Sequence, residues 1–338
     1  MSVGKANARR DALWEAVDSL LADATVPGVL AHKIGALAAN RQRRRGDRVS
    51  PLFLIEERDA ALCMRNAIPL IEHVRASCDN PLVLIKGPEV ARLYPGGARR
   101  FSDIDLLTDD AGGVQQALIG QGLIEGDDSL LMPDWHHLQT LRSTTKGLKI
   151  DVHRAPRWPV DLRPPPTREI LDAAVPTALG IDGVSTPAPA HHALILAAHA
   201  WRHEPLWTLR DLIDIAAVAG QADERDIDRV ANGWGIARLW RTTNRAIDGL
   251  FFGGRRTAPL RTWARHLHLV RDRTGLEKDA ARLLEGYWGM PPHLAPLPTL
   301  RLAYHMITPA SGESWRDRAA RVPQDLRKLR APAGPRDG

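Results

Sequence analysis

The chain has 338 residues, of which 44% are hydrophobic, and its formal net charge is +6. A chain of this length can bury a sizeable core, and no stretch approaches the roughly 20 apolar residues that cross a bilayer, so we expect no membrane span. A basic surface favours anionic partners such as nucleotides, phosphates or nucleic acid. In the first 24 residues, charged residues interrupt the apolar ones, whereas a signal peptide has an unbroken apolar segment. We therefore expect a cytoplasmic protein.

Residues 1–80 are predicted to form an N-terminal helical segment. Apolar residues recur at helical spacing, and the pattern predicts three helices between residues 10 and 78. The third, at about 56–78, contains Pro69, which lacks a backbone donor and is expected to kink or split the helix. The arginines within 41–45 fit a solvated helix end, because cations in the last turn complement the helix dipole.

Residues 81–155 differ in character, because short strand-like runs alternate there with helices. This block is the predicted catalytic core. Its predicted elements are, in chain order, a strand at 82–85 that ends in Lys86-Gly87, a short helix through Val90 and Tyr94, a turn at 95–97, a strand at 103–107, a helix capped by Asp110 that ends near Gly122, and a hairpin of 137–142 with 148–153 around a polar turn at 144–147.

The rest of the chain is predicted to be helical. The proline-rich stretch 156–166 has no helical or strand period, so it is a linker or a strap over the surface. A C-terminal helical domain is expected at 167–310, and a basic, partly disordered tail at 311–338. The fold class is therefore α+β, with a small mixed β-sheet core between N-terminal helices and a helical domain. Helices are predicted at 190–201, 207–219, 223–234 and 236–252, with more up to about 307.

Two aspartates stand one residue apart in the strand 103–107. Because alternate strand residues share a face, Asp103 and Asp105 project together while Ile104 and Leu106 point into the core. Two adjacent carboxylates need a cation between them, and Mg²⁺ prefers oxygen ligands and nucleotide phosphates. Asp151, flanked by apolar residues in a strand that can lie alongside, offers the third carboxylate of a two-metal site.

Basic residues near these carboxylates are candidates for phosphate binding. Lys86, Arg99 and Arg100 lie just before the aspartate strand or at the end of the preceding one. Cations in such positions neutralise the charge that develops on phosphoryl oxygens. An isolated Asp-x-Asp pair is a weak signal, but the third aspartate and these flanking residues strengthen the interpretation.

The order of these residues resembles the nucleotidyltransferase superfamily typified by DNA polymerase beta. It runs from Lys86-Gly87 through Arg100 and Asp103-Ile104-Asp105-Leu106 to a hairpin with His137 and then Asp151-Val152-His153. More narrowly, it resembles a poorly characterised bacterial nucleotidyltransferase family in which a KG strand end precedes a DIDLL strand. Residues 196–219 are similar to the helical stretch that follows the core in that family, so the resemblance spans roughly residues 50–250.

The resemblance implies an aspartate triad of Asp103, Asp105 and Asp151 that binds two Mg²⁺ ions, with Mn²⁺ as a possible substitute. The implied reaction transfers a nucleoside monophosphate from an NTP to an acceptor and releases pyrophosphate. Lys86, Gly87, Arg99 and Arg100 are the expected phosphate contacts. Pro88 departs from the superfamily pattern because it has no N–H to offer a phosphate, so a non-catalytic nucleotide-binding protein stays open as an alternative.

Other functions are weighed against this one. A glycosyltransferase also uses Asp-x-Asp, but a larger nucleotide-binding domain normally precedes the motif, and here that region is predicted to be helical. A nucleic-acid-binding protein would use the basic clusters, yet the tryptophans fall at helical positions typical of a core. The acceptor is therefore expected to be a small molecule, or a peptide or protein side chain, with nucleic acid last.

Several histidines and aspartates outside the triad are ambiguous. His137 and His153 either contact the site or an acceptor, or pack in the hairpin. His199 is a further acceptor-side candidate, but with His203 four residues later it lacks the glutamate pattern of a zinc site. Two aspartates of the following helix are expected to face solvent or to pair with Arg202 or Arg210, namely Asp211 and Asp214.

Overall fold

The computed structural model describes residues 3–126, 136–142, 147–309 and 312–321. It confirms an α+β fold, in which one seven-stranded mixed sheet is combined with many helices. Four helices precede the first strand: α1 (Val3–Leu20), α2 (Val26–Ala31), α3 (Gly35–Arg44) and α4 (Pro51–Ser77).

Helix α4 is one 27-residue helix with Pro69 inside it, so the predicted split into two helices does not occur. Proline costs about 3 kcal/mol or more within a helix, since it removes one hydrogen bond and crowds the preceding turn. Burial of Ala67, Leu70, Ile71 and Val74 against the sheet stabilises the same stretch of helix. Buried side chains of this kind contribute roughly 1.5–3 kcal/mol each, so the helix continues through the proline.

The sheet has the strand order β3-β4-β5-β2-β1-β7-β6. Its central pair, β2 and β5, is parallel, and the register sets Asp105 beside Asp151 and Leu107 beside His153. β1 is antiparallel to β2 and parallel to β7. The strands are β1 (Leu82–Leu84), β2 (Asp103–Leu107), β3 (Ile124–Glu125), β4 (Leu141–Arg142), β5 (Lys149–His153), β6 (Val175–Pro176) and β7 (Val184–Thr186).

The predicted elements of the core are confirmed where the structure describes them. β1, β2 and the turn at 95–97 occur as expected, and Asp110 caps its helix by accepting from Gly113 N at 2.9 Å. β4 and β5 form the hairpin, of which residues 143–146 lie outside the described residues. The short helices here are α5 (Pro88–Ala91), the 3₁₀ turn Pro95–Gly97 and α6 (Ala111–Gly120).

The two faces of the sheet pack against different helices. Ile104 and Leu106 of β2 are fully buried in a cluster with α4 and α6. Leu107 points to the opposite face, where it joins a larger cluster formed with N-terminal and C-terminal helices. By strand alternation, Asp103 and Asp105 share that second face with Asp151. The carboxylates therefore lie between the sheet and the helices that follow it in the chain.

The segment after the core contributes two strands that the sequence did not predict. β7 lies directly beside β1, and β6 is the outer strand next to it. Both are only two or three residues long, which is too short for a recognisable period. The sheet thus extends beyond the expected core of 81–155, while the division of the chain into domains stays a prediction.

The remaining helices follow the predicted order. Residues 156–166 form neither helix nor strand, as expected for a strap, and the last described stretch, 312–321, is helical from 315. The tail prediction for 322–338 lies outside the described residues. The helices are α7 (Thr167–Asp172), α8 (Pro189–His203), α9 (Leu209–Ala219), α10 (Glu224–Gly233), α11 (Ala237–Phe251), α12 (Ala258–Arg261), α13 (Arg265–Leu269), α14 (Gly275–Gly289) and α15 (Pro296–Ile307).

Candidate active site

A cleft of about 280 Å³ lies at the polar face of β2 and β5. The strand register brings Asp103, Asp105 and Asp151 into its lining, as the sequence predicted. The cleft also collects residues from the N-terminal helices, the strap and α8–α9. Its lining is formed by Lys33, Lys86, Gly87, Arg99, Phe101, Ser102, Asp103, Asp105, His137, Asp151, His153, Arg157, His199, His203, Trp207, Arg210 and Asp211.

His153 holds Asp105 in a fixed position. Its Nε2–H donates to Asp105 Oδ1 at 2.8 Å, and both side chains are buried. Burial alone raises the pKa of Asp105, but the hydrogen bond from His153 and the electrostatic interaction with it, with help from Lys86, bring that pKa below its ordinary value. Asp105 is therefore an ionised carboxylate in the lining of the cleft.

The pKa of Asp103 shifts in the opposite direction to that of Asp105. Burial, together with the neighbouring Asp105 carboxylate, raises the pKa of Asp103, although Lys86 opposes the shift. Two carboxylates that repel each other in a buried site mark a place where a cation is needed. The electrostatics of the pair thus agree with the interpretation made from the sequence.

The donor atoms of Asp105, Asp151 and His153 lie within 4.8 Å of one another, so these three residues can hold a metal ion. Asp151 is oriented by Thr140, whose hydroxyl donates to Asp151 Oδ1 at 2.6 Å. Asp103 lines the same cleft but does not belong to this cluster. The predicted triad is therefore assembled in one cleft, with His153 as an additional nitrogen donor.

The Lys86-Gly87 pair ends β1 at the edge of the cleft. Gly87 has φ 65°, and a Cβ at this position would lie 2.9 Å from the carbonyl oxygen of Asp103. Only glycine adopts this turn without strain while packing so close to β2. Burial lowers the pKa of Lys86, while the carboxylates of Asp105, Asp211 and Asp103 oppose that shift.

The two predicted phosphate-binding arginines separate in the structure. Arg99 lines the cleft, but its guanidinium is buried and donates to both carboxylate oxygens of Asp214 at 2.7 Å. Arg100 is not a cleft residue: its Nη1 donates to Glu56 of α4 at 2.6 Å. The placement of Arg100 in the site is thus corrected.

The three acceptor-side histidines all line the cleft. His137 Nδ1–H donates to Leu138 O at 2.6 Å, and its ring contacts that of His153 at 5.4 Å between centroids. His199 lies 3.1 Å from His203, measured between their Nε2 atoms. Burial and the nearby Lys86 charge hold the pKa of His199 well below its ordinary value, so it is neutral near pH 7.

Several residues of the cleft were not predicted from the sequence. Lys33, in the turn after α2, and Arg157, in the strap, carry no local signal because they reach the site only through the tertiary fold. Asp211 lines the cleft and lies 3.9 Å from Arg210, as the predicted pairing suggested. Asp214 was expected to face solvent or to pair with Arg202 or Arg210, and this was wrong, since it is buried and pairs with Arg99.

Among the residues that the structure describes, no helix combines the length and the apolarity that a bilayer crossing requires.

The sequence was also matched by a known protein family whose description is consistent with this site. Residues 12–246 match the family described as an uncharacterised nucleotidyltransferase. The match covers more than half of the chain, so the protein belongs to this nucleotidyltransferase family. No curated protein and no solved structure matches the chain. The superfamily resemblance drawn from the sequence is therefore confirmed.

Proposed function

We propose that this protein is a metal-dependent nucleotidyltransferase that moves a nucleoside monophosphate from an NTP to an acceptor hydroxyl and releases pyrophosphate. One observation carries the proposal: a single cleft contains Asp103, Asp105 and Asp151 together with Lys33 and Lys86. Carboxylates bind hard divalent cations, and lysines bind phosphates. A metal-bound triphosphate satisfies both sets of charges.

The residues present fit a divalent cation. Asp105 Oδ2 is buried and has no hydrogen-bond partner among the described residues, which is costly for a carboxylate unless a cation meets it. Asp103, Asp105 and Asp151 would hold two Mg²⁺ ions, and the nitrogen of His153 makes Mn²⁺ an acceptable substitute. When bound, the metal supplies Lewis-acid polarisation of the phosphate and lowers the pKa of the attacking hydroxyl.

The chain's own cations bind and orient the triphosphate. Lys86 and Lys33 line the cleft together with Arg210, whereas the guanidinium of Arg99 is engaged by Asp214. In the transfer, the acceptor oxygen bonds to the α-phosphorus, and the bond from that phosphorus to the bridging β-oxygen breaks. Pyrophosphate leaves with the electron pair. We assign Asp151, oriented by Thr140, to receive the acceptor proton.

Calorimetric titration of each of the four NTPs, with and without Mg²⁺, tests the proposal on the wild type and on Asp103→Ala. We expect one NTP to bind in a metal-dependent manner and the variant to lose this binding. Asp109→Ala is the matched control, because Asp109 is exposed and pairs with Arg168 at the surface. Absence of binding to the wild type would contradict the proposal.

Turnover distinguishes an enzyme from a non-catalytic relative. Pyrophosphate release should accompany metal-dependent NTP binding once an acceptor hydroxyl is supplied. Binding without turnover across small-molecule, peptide and RNA acceptors would favour the nucleotide-binding pseudoenzyme, with Pro88 at the first turn of α5 as the first residue to substitute.

A further inference from the structure

A second cavity, of about 300 Å³, lies beside the cleft. Its walls come from the strap, the end of α8, and the helices α11, α14 and α15. A volume of this order is at the lower end of small-molecule sites. The cavity can therefore take one compact molecule or one side chain.

The two cavities meet at His203, which lines both. In α8, His199 lines the cleft, whereas Trp201 and Arg202 line the second cavity. In the strap, Arg157 lines the cleft and residues 159–162 line the second cavity. Arg157 Nη1 donates to His203 Nε2 at 2.9 Å, which joins the two stretches at the boundary. The two cavities therefore share His203 as a common wall.

One side of the second cavity is apolar and fixed. Trp201, Leu239 and Met290 are buried and line it. Trp201 Nε1 donates to Thr243 Oγ1 at 2.8 Å. A Cβ on Gly289 would lie 2.5 Å from the Trp201 ring. Because glycine has no Cβ, the end of α14 can pack directly against the indole. The indole therefore forms a rigid wall for an apolar group.

The rest of the lining is charged. Asp161, Arg202, Arg282 and Glu285 line the cavity, and none of them makes a hydrogen bond or ion pair with another described residue. Glu204 is a third carboxylate of the lining, but it is buried and forms an ion pair with Arg273. Glu285 is half-buried, and burial raises its pKa to about 7. A half-buried carboxylate near an aromatic wall suits an ammonium group, which would favour its ionised form.

On the basis of the proposed function, we propose that the second cavity binds the acceptor, and that the acceptor is a small amphipathic amino alcohol. Its apolar body would pack on Trp201 and its ammonium would donate to Glu285 and Asp161. Its hydroxyl would point past His203 toward the cleft.

The test measures binding of the probe 2-amino-3-phenylpropan-1-ol to the whole chain by calorimetry, first without nucleotide. We expect saturable binding to the wild type. Val160→Trp, at a lining residue that is 77% exposed, should lower the affinity at least tenfold by filling the cavity mouth. Glu285→Gln should lower it about fivefold by removing the charge. Val175→Trp, the same change at an exposed valine of β6 outside the lining, should leave it unchanged.

A second measurement separates this proposal from the proposed function. With NTP and Mg²⁺, the probe should stimulate pyrophosphate release in the wild type and in Val175→Trp but not in Val160→Trp. Normal NTP binding without probe binding, or an unchanged affinity in both Val160→Trp and Glu285→Gln, would overturn the acceptor site alone. Probe binding without NTP binding would overturn the proposed function and, with it, the assignment of the bound molecule as an acceptor.

Discussion

Arg99 and Asp214 form a buried, doubly hydrogen-bonded ion pair in which the guanidinium Nε and Nη2 each donate to one carboxylate oxygen at 2.7 Å. Tyr94 donates to the same carboxylate at 2.6 Å. The pair joins the segment that leads into β2 to helix α9, which carries Arg210 and Asp211 to the cleft. It therefore sets the distance between β2, which carries Asp103 and Asp105, and the helix opposite.

Removal of one partner of this pair should strongly destabilise the fold. Asp214→Ala leaves a buried guanidinium without its counter-ion, and we expect a loss of about 3–5 kcal/mol in the free energy of unfolding. Urea denaturation measures it. Asp172→Ala is the control, because the Arg168–Asp172 pair is exposed and should contribute less than about 1 kcal/mol. Equal losses in the two variants would refute the structural role of Asp214.

Asp105→Asn should abolish turnover with little change in stability. The amide cannot supply the ionised oxygen that a metal requires, so we expect NTP turnover to fall by about 10³-fold or more. The substitution also removes the repulsion from Asp103, which offsets part of the weakened bond to His153. Pyrophosphate release and thermal unfolding are measured on the same sample. A fully active variant would disprove the metal assignment.

Lys86 and Arg100 should behave differently although both were candidates for phosphate binding. Loss of one charge-assisted hydrogen bond costs about 1.5–3 kcal/mol, so Lys86→Gln should weaken NTP binding roughly 10-fold to 100-fold. Arg100→Gln should leave the affinity unchanged, because Arg100 contacts Glu56 outside the cleft. Calorimetry at 0.05 M and 0.5 M salt measures both. The reverse order of effects would show that the arginine is the phosphate ligand.

Gly87→Ala should destabilise the chain more than the same change at Gly97. Both glycines have positive φ, 65° and 68°, so alanine is strained at either position by about 1–2 kcal/mol. Only at Gly87 would the new Cβ also meet the Asp103 carbonyl, whereas nothing lies within 4 Å of a Cβ at Gly97. The difference in urea midpoint between the two variants reports the close contact between the β1 turn and β2.

Stability should fall in mild acid because of buried histidines. Burial lowers the pKa of His192 from 6.5 to about 4, although its hydrogen bond to Ile85 O opposes the shift. The unfolded chain therefore binds a proton that the folded chain does not between these two pKa values. The contribution of His192 is complete above pH 6.5 and is lost as the pH falls toward 4, to a total of about 3 kcal/mol.

The acid effect is measured by urea unfolding at pH 7 and pH 4. His192→Gln, whose amide can still donate to Ile85 O, should reduce the loss between the two values by most of that amount. His73→Gln is the control, since His73 is exposed and its substitution should leave the loss unchanged. The same loss in both variants would place the effect elsewhere.

Local sequence signals were sufficient for the strands that carry the three aspartates and insufficient for the long-range contacts. Strand alternation predicted β2 and the shared face of Asp103 and Asp105, and the apolar flanks of Asp151 predicted β5. Strand β7 was missed because its three residues obtain their stability from β1, about a hundred positions earlier. The helix is not split at Pro69 because the surrounding side chains are buried, which the local pattern does not show.

The positions of the charged residues also depend on long-range contacts that local sequence signals do not show. Which of Arg99 and Arg100 faces the cleft depends on a carboxylate 115 positions away, at Asp214. Lys33 reaches the cleft from a turn after α2, where it lies 5.2 Å from the centroid of the Trp207 ring. Such placements follow from the packing of distant helices, and no spacing rule in one segment can indicate them.

The position of β7 between β1 and β6 limits how the chain can be shortened. A fragment that ends at residue 166 would include Asp103, Asp105 and Asp151 but would expose the hydrogen-bonding edge of β1. Such an edge pairs readily with other chains and promotes aggregation. The fragment would also lack Asp214, so the Arg99 guanidinium would have lost its carboxylate partner. A stable truncated form must therefore extend at least through Asp214.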